Sequence, residues 1–247
     1  MREIMYDAIY KNEKTHWWYC ARREIVLSLL DLSLENMRKL KMIDFGCGTG
    51  AMLETLSEFG EVTGVDFSDK ALEYCKSKFD GKLLQVNLNE KILLEDKYDI
   101  AVAMDVLEHL DDDYTGLCNM KNALINGGNL IITVPAFMFM WSAHDDNNFH
   151  KRRYTAKNLK QLLLKAGFEI KYLSYYNFWI FPIVAFLRVF FNLFKFNKNS
   201  EAENKKSNKF VNGLLYRIFK SEKLFVSRNI SLPFGVSLIT VAKKPNL

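Results

Sequence analysis

DFGCGTG, residues 44–50, follows the apolar run KLKMI and leads into the helical pattern AMLETLSEF. A short buried strand that ends in a glycine turn and feeds a helix is the opening unit of a doubly wound α/β sheet. Gly46, Gly48 and Gly50 let the backbone approach a flat ligand closely. The next strand, EVTGVD, ends on Asp66, whose carboxylate can accept both hydroxyls of a ribose. Gly46, Gly48 and Ala51, with an acid about 20 residues on, also satisfy the dinucleotide fingerprint G-x-G-x-x-G/A. The turn alone therefore leaves two ligand classes open.

The alternation continues outward. SDKALEYCKSKF is a helix capped by Ser68, KLLQV a third strand and YDIAVAM a fourth. DDDYTGLCNMKNALIN reads as a helix, its leading aspartates suited to the positive helix start. GGNLIITVP is a fifth strand, TAKNLKQLLLKAGF a helix between a Thr155 cap and Gly167, and FEIKYLSY a sixth strand. Non-alternating apolar strands separated by helices predict a parallel sheet covered on both faces. The predicted organisation is one domain: N-terminal helices over residues 1–39 that lid the site, a core over 40–175, an amphipathic helical insertion over 176–228 and a final strand over 234–244.

Bulk composition narrows the class. The 247 residues carry a net charge of +5 from 34 basic and 29 acidic side chains, too balanced to argue for nucleic acid. Cys20, Cys47, Cys75 and Cys118 form no CxxC pair and read as reduced thiols of a cytoplasmic protein. MREIMYDAIYKNEK has no apolar leader core, so no secretory signal is expected.

Three features favour S-adenosylmethionine over a dinucleotide. Asp44, just before the turn, suits a cationic ligand end and would sit awkwardly beside a pyrophosphate. Asn87 ends the third strand, where a polar side chain can read an adenine edge. DVLEH, Asp105 to His109, opens the mouth of the fourth strand beside the glycine turn, at the switch point where such sheets bind ligands. Together DFGCGTG, VDFS, YDIAVAMDVLEHL and GGNLIITVP resemble a class I S-adenosylmethionine-dependent methyltransferase, with GVSLITVAKK as its seventh, antiparallel strand. HWWYCARR, WSAHD and HKRRYT further resemble a bacterial small-molecule branch (types 11 and 23) associated with polysaccharide or lipid pathways. The resemblance implies a Rossmann-like seven-stranded sheet. It places the methionine end of the cofactor over Asp44, Gly46, Cys47, Gly48 and Gly50, the ribose on Asp66, and the adenine near Phe67, Asn87 and Leu88. Asp105, Val106 and Leu107 would close the pocket. Asn87 stands where an aspartate is more usual. The alternatives are an NAD(P)-dependent reductase or epimerase, which would lack its Tyr-x-x-x-Lys pair here, and a non-catalytic S-adenosylmethionine-binding protein.

For the acceptor, neither the (D/N)PP(Y/F) of amino-methylating nucleic-acid enzymes nor a Pro-Cys nucleophile occurs, so oxygen is the favoured target atom, with carbon or nitrogen of a small molecule still open. The resemblance implies a sugar, lipid-linked saccharide or isoprenoid/quinone-like acceptor. A hydroxyl acceptor gains from a base that titrates near neutrality. WSAHDDNNFHKRRYT, residues 141–155, follows the fifth strand and belongs over the pocket. His150 and His144 are candidate bases, Asp145 could orient one of them, and His109 is either catalytic or a turn-bonding residue. Trp141, Arg152, Arg153, Tyr154 and Trp18 are candidate acceptor contacts, the arginines suiting an acidic or phosphorylated group. A metal reading would use His144, Asp145 and His150. With no third histidine nearby in the sequence and no metal required for methyl transfer, none is expected. The lone triplet Lys151–Arg153 does not make a nucleic-acid site.

PIVAFLRVFFNLFKF is too short to span a bilayer. It reads either as an amphipathic helix packed on the domain or on a second copy of the chain, or as one lying on an anionic inner membrane face with Lys195, Lys198, Lys205, Lys206 and Lys209 toward lipid.

Overall fold

The computed structural model describes residues 3–33, 39–194 and 208–246. Two helices, α1 (Glu3–Asn12) and α2 (Trp17–Ser33), precede the first strand, β1 (Leu40–Phe45). There follow α3 (Ala51–Leu56), β2 (Gly60–Asp66), α4 (Asp69–Lys76), β3 (Lys82–Gln85), β4 (Tyr98–Met104) and α5 (Asp113–Ala123). Then come β5 (Leu124–Pro135), α6 (Ala143–Asn147), α7 (Ala156–Lys165), β6 (Glu169–Tyr176) and α8 (Phe181–Leu193). The helices α9 (Lys209–Ser221) and α10 (Lys223–Val226) lead to β7 (Ser237–Lys243).

The seven strands form one sheet in the order β3-β2-β1-β4-β5-β7-β6. Strands β1 to β5 pair parallel, and β7 runs antiparallel between β5 and β6. This is the doubly wound sheet that the alternation predicts, with the Rossmann-like order and reversed last strand that the resemblance implies. In β4, Ala101 and Ala103 join one core layer with Leu117 and Leu163, while Ile100 and Val102 join the other with Leu53 and Ile25. Period-two alternation with both faces buried explains the unbroken apolar strand sequences.

One local feature differs from the sequence reading. The helix expected to reach Asn126 stops at Ala123, because the N–H of Leu124 closes the helix on Lys121 O and Leu124 then pairs with Tyr98. Gly127, at φ 80, allows the register shift that lets Asn129 pair with Ile100. In the insertion, Arg188 of the otherwise uncharged α8 turns inward and donates to Met140 O at 2.7 Å. Lys195, Lys198, Lys205 and Lys206 lie outside the described residues, whereas Lys209 opens α9 and is exposed.

The N-terminal helices are tied down from both ends of the chain. The N–H of Trp17 donates to Asn212 Oδ1 at 2.9 Å, and Asn212 Nδ2 donates to Thr15 O at 2.9 Å. Ile25, Val26, Leu29 and Leu30 of α2 are fully buried against the sheet.

Candidate functional site

At the C-terminal ends of β1, β2, β4 and β5 lies a cavity of about 1370 Å³. The glycine turn forms its floor. Gly46 (φ 70) and Gly48 (φ 54) adopt left-handed backbone, which side chains disfavour. A Cβ on Gly46 would lie 2.5 Å from Val106 Cγ2, whereas one on Gly48 would meet nothing within 4 Å. Gly46 is therefore needed for packing, and Gly48 leaves open space for a ligand.

Asp66 closes the turn. Its Oδ2 accepts the N–H of Gly48 and its Oδ1 the N–H of Ser68, both at 2.9 Å. A carboxylate has further lone pairs for a diol. Burial raises its pKa, and these backbone donors oppose the shift. Asp44 is fully buried below the turn, and neither of its carboxylate oxygens has a hydrogen-bond partner among the described residues. Burial, together with the charge of Asp66, pushes its pKa up to about 8 against the pull of Arg22. Phe67 is 68% exposed at the rim of the cavity. Asn87 lines the cavity with its amide already engaged: Nδ2 donates to Glu90 Oε1 at 2.7 Å, and Oδ1 accepts from Asn89 N at 3.1 Å.

The N-terminal helices roof this floor. Glu13, almost wholly buried, accepts from Thr49 Oγ1 of the glycine turn and pairs with Lys78. Arg22 lies over the Trp18 ring, 4.1 Å from its centroid, and pairs with Asp105. Asp105 has φ 55, and Thr133 Oγ1 donates to it at 3.0 Å, so a strained residue at the mouth of β4 is held from two sides. Sequence reasoning named Trp18 but not Arg22, and it missed Tyr6, Ile9 and Glu13, which also line the cavity. Only the packing of α1 over the turn reveals them.

The rim after β5 is not a solvated loop. Ala143–Asn147 form the short helix α6, with a capping box between Ser142 and Asp145. Asp145 is completely buried and anchors the segment. Arg153 grips it in a fork, Nε to Oδ1 at 2.8 Å and Nη2 to Oδ2 at 3.0 Å, while His150 Nδ1 lies 2.8 Å from Oδ1. Burial alone would raise the Asp145 pKa, but the His150 hydrogen bond and the Arg153 charge hold it well below the usual carboxylate range. Asp145 thus orients His150. Arg153, expected to clamp an acceptor, is instead 6% exposed and committed to Asp145 and Ala136 O. Arg152 points away from the cavity to Asp113, at 2.9 Å, and to Asp111 O. Tyr154 is buried and donates to Asp113 Oδ2 at 2.8 Å. Alternation along this extended segment separates the two arginines.

His144, His150, His109 and Trp141 all line the cavity. The rings of His109 and His150 are 4.7 Å apart, and those of His144 and His150 5.9 Å. A third histidine does stand beside the pair, contrary to the expectation from sequence, because β4 and β5 are neighbours and the segments beyond them meet. The N–H of Lys151 donates to Glu108 O at 2.7 Å, fixing those segments together. Burial and the adjacent His150 lower the His109 pKa to about 3, so it is a neutral imidazole. Glu108, which sequence reasoning did not single out, is fully buried with neither oxygen hydrogen-bonded among the described residues.

A glycine turn held by a buried carboxylate, at the strand ends of a seven-stranded sheet with a reversed last strand, is the arrangement of a class I nucleoside-cofactor fold. The chain belongs to the methyltransferase domain family, whose sequence profile matches residues 16–173. It is a class I, S-adenosylmethionine-dependent methyltransferase domain. A Mycobacterium tuberculosis protein named as a probable S-adenosylmethionine-dependent methyltransferase is 28% identical over 131 residues, 51% of this chain and 48% of that protein. The ubiquinone biosynthesis O-methyltransferase of Coxiella burnetii is 30% identical over 130 residues, 47% of this chain and 56% of that protein. The chain thus spans about half the length of these curated relatives. Among solved structures, the plantazolicin methyltransferase BpumL, in complex with a triazolic desmethyl analogue and S-adenosylhomocysteine, superposes with a TM-score of 0.62. It is 16% identical, with 98% of this chain and 90% of that one covered. The residues present fit the cofactor: an unpartnered buried carboxylate suits its ammonium, and the open side of Gly48 admits its backbone-hugging end. The nicotinamide alternative falls with the family match.

Proposed function

We propose that this chain transfers the S-adenosylmethionine methyl group to a hydroxyl oxygen of a small molecule with an apolar portion, of the lipid-linked saccharide or isoprenoid/quinone-like class. The observation that carries this reading is a cluster of three histidines, one of them oriented by a buried carboxylate, in the same cavity as the glycine turn. The sulfonium carbon is already activated, so the protein holds the acceptor oxygen in line, excludes water and removes one proton. The O–C bond forms as the C–S bond breaks, and the hydroxyl proton passes to the imidazole pair His144 and His150. Val184, Leu187 and Phe191 of α8 give the cavity an apolar wall suited to a hydrocarbon tail.

The test is to identify by mass spectrometry the ligands retained on purification, then to measure transfer to the acceptor so found. His144→Ala and His150→Ala are each expected to lower kcat by about 100-fold or more, with S-adenosylhomocysteine affinity unchanged. Turnover intact in both variants would remove the base from this reading, and binding without turnover on any acceptor would favour a non-catalytic protein.

Asp44 supplies a pH signature. With its pKa near 8 it holds a proton at neutral pH before the cofactor arrives. The cofactor's ammonium favours the carboxylate, so binding releases a proton, and affinity rises with pH up to about 8 by at most about tenfold per unit. Calorimetry in two buffers of different ionisation enthalpy, near pH 7, measures that proton. Equal heats would show that Asp44 does not meet the ammonium.

We also infer that the enzyme works at an anionic membrane surface. Among the described residues no helix is long and apolar enough to cross a membrane. Helix α8 carries Arg188 as its one charge, turned inward. Its outer face presents Ile183, Phe186 and Leu193 at 64%, 67% and 74% exposure, the reverse of a water-facing helix. Five lysines follow at 195, 198, 205, 206 and 209, diluted by Glu201 and Glu203. Flotation with vesicles containing anionic lipid, and release by salt, is the expected result. Recovery in the unbound fraction at low salt overturns it.

A further inference from the structure

We propose that Glu108, His109 and His150 form a binding site for one divalent transition-metal ion, with zinc as the leading candidate, on the acceptor side of the cavity. This deepens the reading above, on which it rests, and reverses the expectation from sequence that no metal is used. Each of the three offers one donor atom, and these atoms lie within 4.8 Å of one another. Donors around a bound zinc ion sit at about 2.0–2.2 Å from it, so closing the set takes a shift of about 1 Å in each side chain.

Three observations point to a ligand rather than to a chance cluster. Glu108 is 0% exposed, yet neither of its carboxylate oxygens has a hydrogen-bond partner among the described residues. A buried carboxylate without hydrogen bonds is costly, and a cation held by one of its oxygens lowers that cost. His150 is arranged as a metal-bound histidine is. Its Nδ1 is 2.8 Å from Asp145 Oδ1, and Asp145 is in turn fixed by Arg153 and the N–H of Ser142, which leaves Nε2 as the outward donor. The backbone bond from Lys151 N to Glu108 O, at 2.7 Å, sets the two donor-bearing segments in register before any ion binds.

Two imidazoles and one carboxylate suit zinc, iron or cobalt, whereas calcium and magnesium prefer all-oxygen shells. Three protein donors leave coordination positions open, and all three residues line the cavity, so those positions face the acceptor. An ion there makes an acceptor hydroxyl more acidic. With His150 engaged, His144 receives the proton, dividing a role that the pair would otherwise share.

The test uses the full chain, stripped with a chelator, and the metal alone. Titration with Co²⁺ is expected to give one ion per chain, with visible ligand-field bands that Zn²⁺ abolishes. Glu108→Gln and His150→Ala are each expected to weaken Co²⁺ binding by about 10- to 100-fold. Circular dichroism checks their folding, and His109→Ala serves in place of either variant that fails to fold. Absence of stoichiometric binding, or affinities unchanged in these variants, overturns the site. S-adenosylhomocysteine calorimetry on the same preparations separates the two readings. Cofactor binding without metal binding sinks the metal site alone, and metal binding without cofactor binding sinks the methyltransferase reading.

Discussion

Asp66→Ala is expected to weaken S-adenosylhomocysteine binding by about 100-fold or more. Two losses combine. The carboxylate would no longer accept the ribose hydroxyls, and hydrogen bonds to a charged group contribute about 1.5–3 kcal/mol each, so two of them account for at least about 3 kcal/mol. The same oxygens hold the N–H groups of Gly48 and Ser68, so the glycine turn and the start of α4 lose their shared anchor. Titration calorimetry measures the affinity, and a melting curve of the free protein shows how much of the loss is structural. Affinity within about threefold of the parent would show that the sugar is held elsewhere.

The second large effect concerns stability. Asp145→Ala leaves the Arg153 guanidinium buried with Ala136 O as its remaining acceptor among the described residues. Breaking one half of a buried, bidentate pair costs about 3–5 kcal/mol, because the surviving charge is stranded. In a domain of this size that lowers Tm by about 10 °C. Asp145→Ala with Arg153→Met is expected to recover part of the loss, since both charges are then gone. Equal melting temperatures for parent and Asp145→Ala would mean that the rim segment does not depend on this pair. The double variant also distinguishes stability from chemistry: it restores folding without restoring the support under His150.

Much of this architecture was legible from sequence because its signals are local. The turn at residues 44–50 couples strand, glycines and helix within a few positions, and Asp66 follows from the next strand end. The reversed final strand also followed from GVSLITVAKK once the sheet was recognised. The acceptor side was harder to read. His109 and His150 are distant in sequence and meet only because Met104 pairs with Thr133 in neighbouring strands. Nothing local separates Arg152 from Arg153 either. The bridge between Ala136 and Tyr154 sets which of them faces inward, and that bridge is a tertiary event. Glu108 sits in a motif that was recognised, but its isolation from hydrogen-bonding partners is a property of the packed molecule. An N-terminal lid was expected, but its lining residues Tyr6, Ile9 and Glu13 could not be singled out because that segment carries no recognisable motif.

The clasp between Trp17, Thr15 and Asn212 has a consequence for how the protein is made. The contacts that steady the roof join positions 195 and 197 residues apart. Contacts of such sequence separation form slowly relative to local ones. Both Asn212 and β7, which fills the place between β5 and β6, follow the floor in the chain. Completion of roof and sheet is therefore expected to be the late part of folding.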